Sequence, residues 1–87
     1  MEKEMKTFYG TVVKARLYIG SKSEGYYCVL RSGEQLITLR IPGENAFQPE
    51  SLKKFLGQDV EVGGYFLSSG HIFVVEKISK KWSLLIY

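Results

Sequence analysis

The residues of this chain that could carry out acid–base or nucleophilic chemistry are few and widely separated. His71 is the only histidine and Cys28 the only cysteine, so there is no metal-binding cluster and no choice of Cys–His pairs. Asp59 is the only aspartate, and the eight glutamates show no spacing that would pair two carboxylates for proton transfer. We therefore expect no enzymatic activity and no cofactor, and we interpret Cys28 as a buried, inert thiol.

Binding of a polyanion has more support, because the basic residues are concentrated in the first half of the chain. All three arginines occur before residue 43, and residues 5–43 contain six basic side chains against two acidic ones. Arginine can hold a phosphate with two donors and can also stack on a base. The solvated face of any strand carries such residues too, so the pattern permits a nucleic-acid partner without requiring one.

Alternation of polar and apolar residues predicts five strands. Gly10 interrupts the first and longest of them, and a bulge or a sharp coil there would let that strand curl and pair at both ends of a small barrel. Gly63 and Gly64 predict a second bulge or bend. The strands are expected over residues 5–19, 26–31, 35–41, 59–67 and 71–78.

One short helix is predicted over residues 49–56, between the third and fourth strands. Pro49 suits the first helical position, and Gly57 suits a left-handed cap at the other end. A helix of this length does not persist alone in water, so it must dock an apolar stripe, most naturally at one end of a barrel. The stripe consists of Leu52, Phe55 and Leu56.

Length and composition indicate one globular domain. The chain has 87 residues, of which 45% are hydrophobic and 24% charged, and its net charge is +3. Its first residues lack the apolar core of a secretory signal, and no apolar run approaches the roughly 20 residues of a membrane span. We expect a cytoplasmic protein without a membrane partner, with a domain over residues 1–79 and an apolar tail over residues 80–87.

The layout of the chain over residues 5–78 resembles an OB-fold domain, most closely the single-stranded nucleic-acid-binding kind. The resemblance rests on the glycine in the first strand (FYGTVV), on the helix between the third and fourth strands, and on LGQDVEVGGYFLSSGHIFVVEKI. The last segment is similar to the closing hairpin of anticodon-binding-type OB domains. The resemblance implies an all-β fold with small helical content, a five-stranded Greek-key barrel with its helix after the third strand.

The resemblance also implies a binding surface on the outer faces of the second and third strands, bordered by the loops between strands one and two and between strands four and five. It takes Tyr26, Cys28 and Leu30 as pointing inward. Basic side chains would contact phosphates and tyrosine rings would stack on bases, giving non-enzymatic binding of single-stranded DNA or RNA with little sequence preference. The expected site residues are Lys14, Arg16, Tyr18, Lys22, Tyr27, Arg31, Thr38, Arg40, Ser69 and His71.

An alternative function, a module for protein–protein interaction or assembly, is suggested by the end of the chain. Only Tyr18 and Tyr27 are expected to present aromatic rings outward, which is few for a base-stacking surface. The tail is too apolar to stay free in water, so it either folds back on its own barrel or pairs with a second copy or another protein. The tail residues concerned are Trp82, Leu84, Leu85, Ile86 and Tyr87.

Overall fold

The computed structural model describes residues 4–80, which form five strands and one helix. All five predicted strands are confirmed, with ends that lie within two residues of the predicted ones. Residues 81–87, with the predicted partner-binding residues Trp82, Leu84, Leu85, Ile86 and Tyr87, lie outside the described residues. In chain order the elements are β1 (Lys6–Leu17), β2 (Gly25–Ser32), β3 (Gln35–Arg40), α1 (Glu50–Lys53), β4 (Asp59–Phe66) and β5 (Ile72–Lys80).

The five strands close into a barrel in the order β1-β2-β3-β5-β4. The order in the sheet therefore differs from the order along the chain, because β5 lies between β3 and β4. β1 closes the barrel by pairing with β4 through its first half and with β2 through its second half, both antiparallel, with Thr11 at the change of partner. β3 and β5 run parallel, with Thr38 opposite Ile72.

Two glycines let neighbouring strands approach closely. A Cβ atom at Gly10 would overlap the backbone oxygen of Arg31, and one at Gly64 would overlap the backbone oxygen of Val74. The predicted bulge in β4 is confirmed, because the register against β5 shifts between Gly63 and Gly64. β1 instead continues through Gly10 without a shift, so this glycine provides space for a neighbouring strand rather than a bulge.

The interior of the barrel is apolar, and α1 covers one end of it. Leu52 is fully buried, while Phe55 and Leu56 pack against the core from the turn that follows the helix. The predicted docking of this apolar stripe is confirmed, and burial of a leucine side chain contributes about 1.5–3 kcal/mol. The fully buried interior residues include Val12, Cys28, Leu30, Leu39, Val60, Val62 and Phe73.

The helix is shorter than predicted. It covers Glu50–Lys53, and Pro49 is its N-cap with an extended backbone rather than its first helical residue. Beyond Lys53 the chain pairs with β1: Leu56 forms a parallel bridge with Val12, and the N–H of the following Gly57 donates to the oxygen of Val12 at 2.7 Å. The N–H groups of Phe55 and Leu56 still donate to the preceding turn, at the oxygens of Leu52 and Lys53, and the helical path ends at Gly57, whose N–H bonds to the strand instead. Among residues 4–80, no helix has the length and apolar character that a membrane span requires.

Candidate binding site on the outer barrel face

The register of the strands determines which side chains point out of the barrel, because directly paired residues lie on the same face and successive residues alternate. Leu30 and Ile37 are paired and both are buried in the interior. Val29 and its partner Thr38 therefore lie on the opposite side of the sheet, which faces away from the core. We call this surface of β2 and β3, together with the start of β5, the outer face.

Four of the expected site residues belong to the outer face. Arg31 lies at one end of it, opposite Leu36, and Thr38 lies at its centre beside Ile72. Arg40 follows Thr38 two residues further along β3 and Tyr27 precedes Val29 on β2, so both share this face. Arg40 lies four residues after Leu36, the partner of Arg31, and four residues of strand rise about 13 Å. The two arginines therefore lie near opposite ends of this stretch of the sheet.

A pocket opens on the outer face where β2 and β3 separate. The two strands pair from the turn only as far as Val29 and Thr38. At Cys28, the residue before Val29, the backbone N–H of β2 donates instead to the carbonyl oxygen of Phe47 at 2.9 Å. The loop between β3 and α1 thus lies beside β2 and brings Phe47 onto the outer face. The resulting pocket of about 350 Å³ is lined by Tyr18, Ser21, Ser23, Tyr27, Thr38, Arg40, Ala46, Phe47 and Ile72.

Three aromatic rings form one side of this pocket. The ring of Tyr27 packs edge-to-face against Tyr18 at 5.3 Å and tilted against Phe47 at 4.7 Å, and its hydroxyl donates to the carbonyl of Ser23. Tyr27 is consequently only 7% exposed, whereas Tyr18 and Phe47 are 42% and 40% exposed. The expectation that Tyr27 offers an open ring for stacking is therefore wrong, because its two neighbours cover it; the accessible rings are those of Tyr18 and Phe47.

The sequence-based prediction missed Phe47, and the loop around it explains how it is held. The side-chain oxygen of Asn45 accepts hydrogen bonds from the N–H groups of Phe47 at 2.7 Å and Gln48 at 3.1 Å. A Cβ atom at Gly25 would lie 2.9 Å from the Phe47 ring, so the glycine makes room for it. The signal available in the sequence was a single aromatic residue in a polar loop, where binding residues are disproportionately found.

The same loop is tied to the start of α1 by Glu44. Its carboxylate accepts hydrogen bonds from the backbone N–H of Ser51 at 2.8 Å and from the Ser51 hydroxyl at 2.5 Å. It supplies the cap that the side chain of Pro49 does not provide. The hydrogen bonds from the Ser51 hydroxyl and N–H lower the pKa of Glu44 from its ordinary value, because they stabilise the ionised carboxylate.

Two polar side chains that line the pocket, those of Thr38 and Arg40, have no hydrogen-bond or ion-pair partner in the described part of the chain. Thr38 as a whole residue is only 8% exposed, but its hydroxyl oxygen is not enclosed in the protein interior. This hydroxyl makes no hydrogen bond to residues 4–80. Neither the half-buried Arg40 nor the exposed Arg31 forms an ion pair within these residues. An apolar pocket with a few convergent, uncommitted polar groups is the usual form of a ligand site.

Lys14 and Arg16 do not lie on the outer face, and their expected placement beside Arg31 and Arg40 is wrong. Lys14 pairs with the buried Cys28, and Arg16 pairs with Tyr26, so both lie on the sheet surface that lines the core further along the strand. That surface becomes exposed towards the end of β1, which is why these charges are solvated and why Tyr26, although on the inward side, is 55% exposed.

Arg16 is instead engaged in shaping the β1–β2 loop. It forms an ion pair with Glu24, whose carboxylate also accepts the backbone N–H of Gly20 at 2.9 Å. The hydrogen bond from Gly20, and to a smaller extent the one from Arg16, lowers the pKa of Glu24, because both stabilise the ionised carboxylate. Tyr18, which stands at φ +57° at the start of this loop, is thereby presented to the pocket.

The remaining predicted residues lie in the loops beside the outer face. Lys22 is exposed in the β1–β2 loop, and Ser69 and His71 are exposed in the loop between β4 and β5. His71 immediately precedes Ile72, the neighbour of Thr38, so it borders the pocket side of the barrel. Cys28 is fully buried, and burial raises the pKa of its thiol, in agreement with the inert role expected for it. Within residues 4–80, no cluster of three or more potential metal ligands occurs.

Comparison with known proteins does not assign this chain to a family. No protein-family model matches the chain, and no curated protein or solved structure matches it significantly.

Proposed function

We propose that the protein is an OB-fold module that binds single-stranded nucleic acid across its outer face. The fold assignment is supported by the closed barrel of five strands, by the β1-β2-β3-β5-β4 order and by a helix that covers the barrel end between β3 and β4. In this architecture oligonucleotides bind over the second and third strands, between the loops that flank them.

The observation that carries the functional proposal is the combination of two uncommitted arginines with accessible aromatic rings on one face. Arg31 and Arg40 hold phosphates at the two ends of the face, while the rings of Tyr18 and Phe47, which line the pocket together with Arg40, stack on bases. Stacking tolerates any base and the phosphate contacts are independent of sequence, so most of the binding energy does not depend on which bases are present. The loop residues Lys22, Ser69 and His71 add contacts at the rim.

The test is a salt titration of a labelled oligothymidylate, followed by fluorescence anisotropy, with two double variants of equal charge. In Arg31→Gln/Arg40→Gln the outer face loses both cations. In the control Lys14→Gln/Lys77→Gln the same charge is lost elsewhere on the barrel. Since each phosphate contact on a single strand contributes about −0.7 to the slope of log K against log salt, the first variant should lose about 1.4 units of slope and the control much less.

The absence of wild-type binding at about 50 mM salt contradicts the proposal, because electrostatic contacts are strongest there. An equal loss of slope in the two double variants would also contradict it, since the binding would then depend on net charge rather than on the outer face.

A protein-interaction or assembly module is the second candidate. It is favoured by large apolar side chains on the surface, of which Ile19 is 72% exposed and Leu36 54% exposed. Light scattering of the full chain and of a chain ending at Lys80 distinguishes the two proposals. An oligomer that depends on residues 81–87, together with no affinity for oligonucleotides, supports assembly over nucleic-acid binding.

A further inference from the structure

We infer that the pocket on the outer face takes one base out of the bound strand and selects it by its hydrogen-bonding edge. The inference rests on the proposed function and goes beyond it, because it adds a base preference at one position to otherwise sequence-tolerant binding. The preferred bases are guanine, thymine and uracil. They carry a carbonyl oxygen at the position (O6 of the purine, O4 of the pyrimidine) where adenine and cytosine carry an amino group.

The size and walls of the pocket suit a single planar ring. Its volume of about 350 Å³ is near the lower end of the roughly 300–1,000 Å³ found for small-molecule sites, which leaves space for one base rather than a stack of several. Tyr18 and Phe47 present accessible rings to it, and the covered ring of Tyr27 and the half-buried side chain of Ile72 complete its apolar lining. A base that enters exchanges its contact with neighbouring bases for contact with these groups.

The polar groups of the pocket give it a hydrogen-bonding preference. Arg40 carries five N–H donors and no acceptor, and the hydroxyl of Thr38 can donate as well as accept. Both are uncommitted within residues 4–80, and Thr38 is more than nine-tenths buried. A donor-rich pocket fits the carbonyl oxygens of guanine (O6) and thymine (O4), whereas adenine and cytosine place an amino group, itself a donor, at the same positions. An amino group directed at Arg40 would leave donors facing donors.

The experiment uses a labelled dodecamer of deoxyadenylate with one central replacement, so that only one nucleotide of each strand differs. The replacements are thymine, guanine, cytosine and an abasic site, and anisotropy is measured at low salt. The strands with a central thymine or guanine should bind about tenfold more tightly than unmodified oligodeoxyadenylate, as expected for a good base-edge contact. Those with cytosine or the abasic site should not exceed it.

Variants then locate the preference in the pocket. Thr38→Val keeps the shape of the side chain and removes the hydroxyl, and it should reduce the ratio of affinities for the central-thymine and the unmodified dodecamer from about tenfold to about threefold or less. Thr7→Val is the matched control, because Thr7 is exposed on β1 opposite Gly63, far from the pocket residues in the sheet. If Thr38→Val does not fold, NMR of the wild type is the second test. The backbone amide chemical shifts of Thr38 and Phe47 should change more on addition of the dodecamer with a central thymine than on addition of the one with a central cytosine.

The outcomes separate the inference from the function on which it rests. If all five dodecamers bind equally well, or if both threonine variants lose the preference equally, the pocket does not select a base although the nucleic-acid proposal stands. If none of the dodecamers and no oligothymidylate binds at low salt, the proposed function itself fails, and the inference fails with it.

Discussion

At the scale of single residues, the same side-chain type has different roles according to where the barrel places it. Arg16 is paired with Glu24 and holds a loop, while Arg31 and Arg40 lie uncommitted on the outer face. The ring of Tyr27 is covered and packs against the ring of Tyr18, while Tyr18 itself remains accessible. The chemistry available to each group is decided by its neighbours, which come from other parts of the chain.

Glu44 provides the clearest prediction at this scale. Replacement by Gln removes the carboxylate that accepts both hydrogen bonds from Ser51, so Glu44→Gln should lower the midpoint of urea denaturation at pH 7. The folded-state pKa of Glu44 is lowered, so its stabilisation is fully present above the ordinary value of 4.5 and is lost as pH falls through the folded pKa. The difference between variant and wild type should therefore narrow progressively below pH 4.5.

Glu34→Gln is the control for this measurement, because Glu34 is exposed in the β2–β3 turn and its side chain forms no hydrogen bond or ion pair in residues 4–80. The urea midpoint of Glu34→Gln should match that of the wild type both at pH 7 and below pH 4.5. A difference for Glu44→Gln that stays constant with pH would show that the carboxylate charge is not the cause.

Gly63 and Gly64 form a natural pair of test sites. A methyl group at Gly64 would meet the backbone oxygen of Val74, which cannot move without breaking the β4–β5 ladder, whereas the nearest atom to a Cβ at Gly63 is 3.8 Å away. We expect Gly64→Ala to lose about 3 kcal/mol of unfolding free energy or to fail to fold, and Gly63→Ala to lose less than about 1 kcal/mol. Urea denaturation of both variants measures this; equal losses would show that β4 and β5 approach each other differently.

At the scale of elements, α1 contributes by covering the barrel end rather than by its own helicity. It has a single hydrogen-bonded turn, capped by a carboxylate from the preceding loop, and its fully buried residue is Leu52. An isolated helix of this length is unstable, so the segment depends on its contact with the core.

Leu52→Ala measures that contact. Removal of a fully buried leucine side chain should lower the unfolding free energy by about 2–5 kcal/mol, because a cavity remains at the barrel end. The comparison is Leu36→Ala, the same substitution at an exposed leucine on β3, which should cost less than about 0.5 kcal/mol. Similar losses from chemical denaturation of the two variants would mean that α1 is not docked.

At the scale of the whole molecule, stability depends on closure of the barrel. The first half of β1 closes the barrel by pairing with β4, whose other neighbour is β5, and Phe8 within it packs edge-to-face against Phe66 at 5.8 Å and Phe73 at 5.3 Å. Without this half, β4 loses one of its partners, and the rings of Phe66 and Phe73 lose their contact with Phe8.

A chain that begins at residue 11 should therefore be unfolded, while a chain that begins at residue 5 retains all of β1 and should fold. Loss of a fully buried phenylalanine costs about 3–5 kcal/mol and loss of the partly buried Phe8 less, but the lost β1–β4 ladder adds to this in a domain whose total stability is expected to be about 5–15 kcal/mol. Dispersion of amide signals in NMR spectra distinguishes the two chains. A folded chain beginning at residue 11 would show that the barrel does not need to be closed.

Part of the candidate site could be predicted from the sequence. Tyr18, Tyr27, Thr38 and Arg40 were expected at the binding surface, and all four line the pocket. Tyr27, Thr38 and Arg40 lie on the face expected for them because inward and outward residues alternate strictly along β2 and β3, whereas Tyr18, expected on the same face of β1 as Lys14 and Arg16, reaches the pocket from the loop after β1. Phe47 was missed, because a loop offers no periodic pattern from which its direction could be read.

By itself, the sequence determined the five strands, the position of the helix and the apolar stripe that covers the barrel end, because these depend on residues that are neighbours in the chain. Only the tertiary structure decided that Lys14 and Arg16 lie away from the outer face and that Tyr27 is covered. Alternation assigns residues to two faces of a strand, but the coiling of the barrel decides which face is packed at each point. The pocket likewise exists only in three dimensions, because the residues that line it, from Tyr18 to Ile72, are distant in the chain and meet only when β5 pairs with β3 and the loop before α1 lies beside β2.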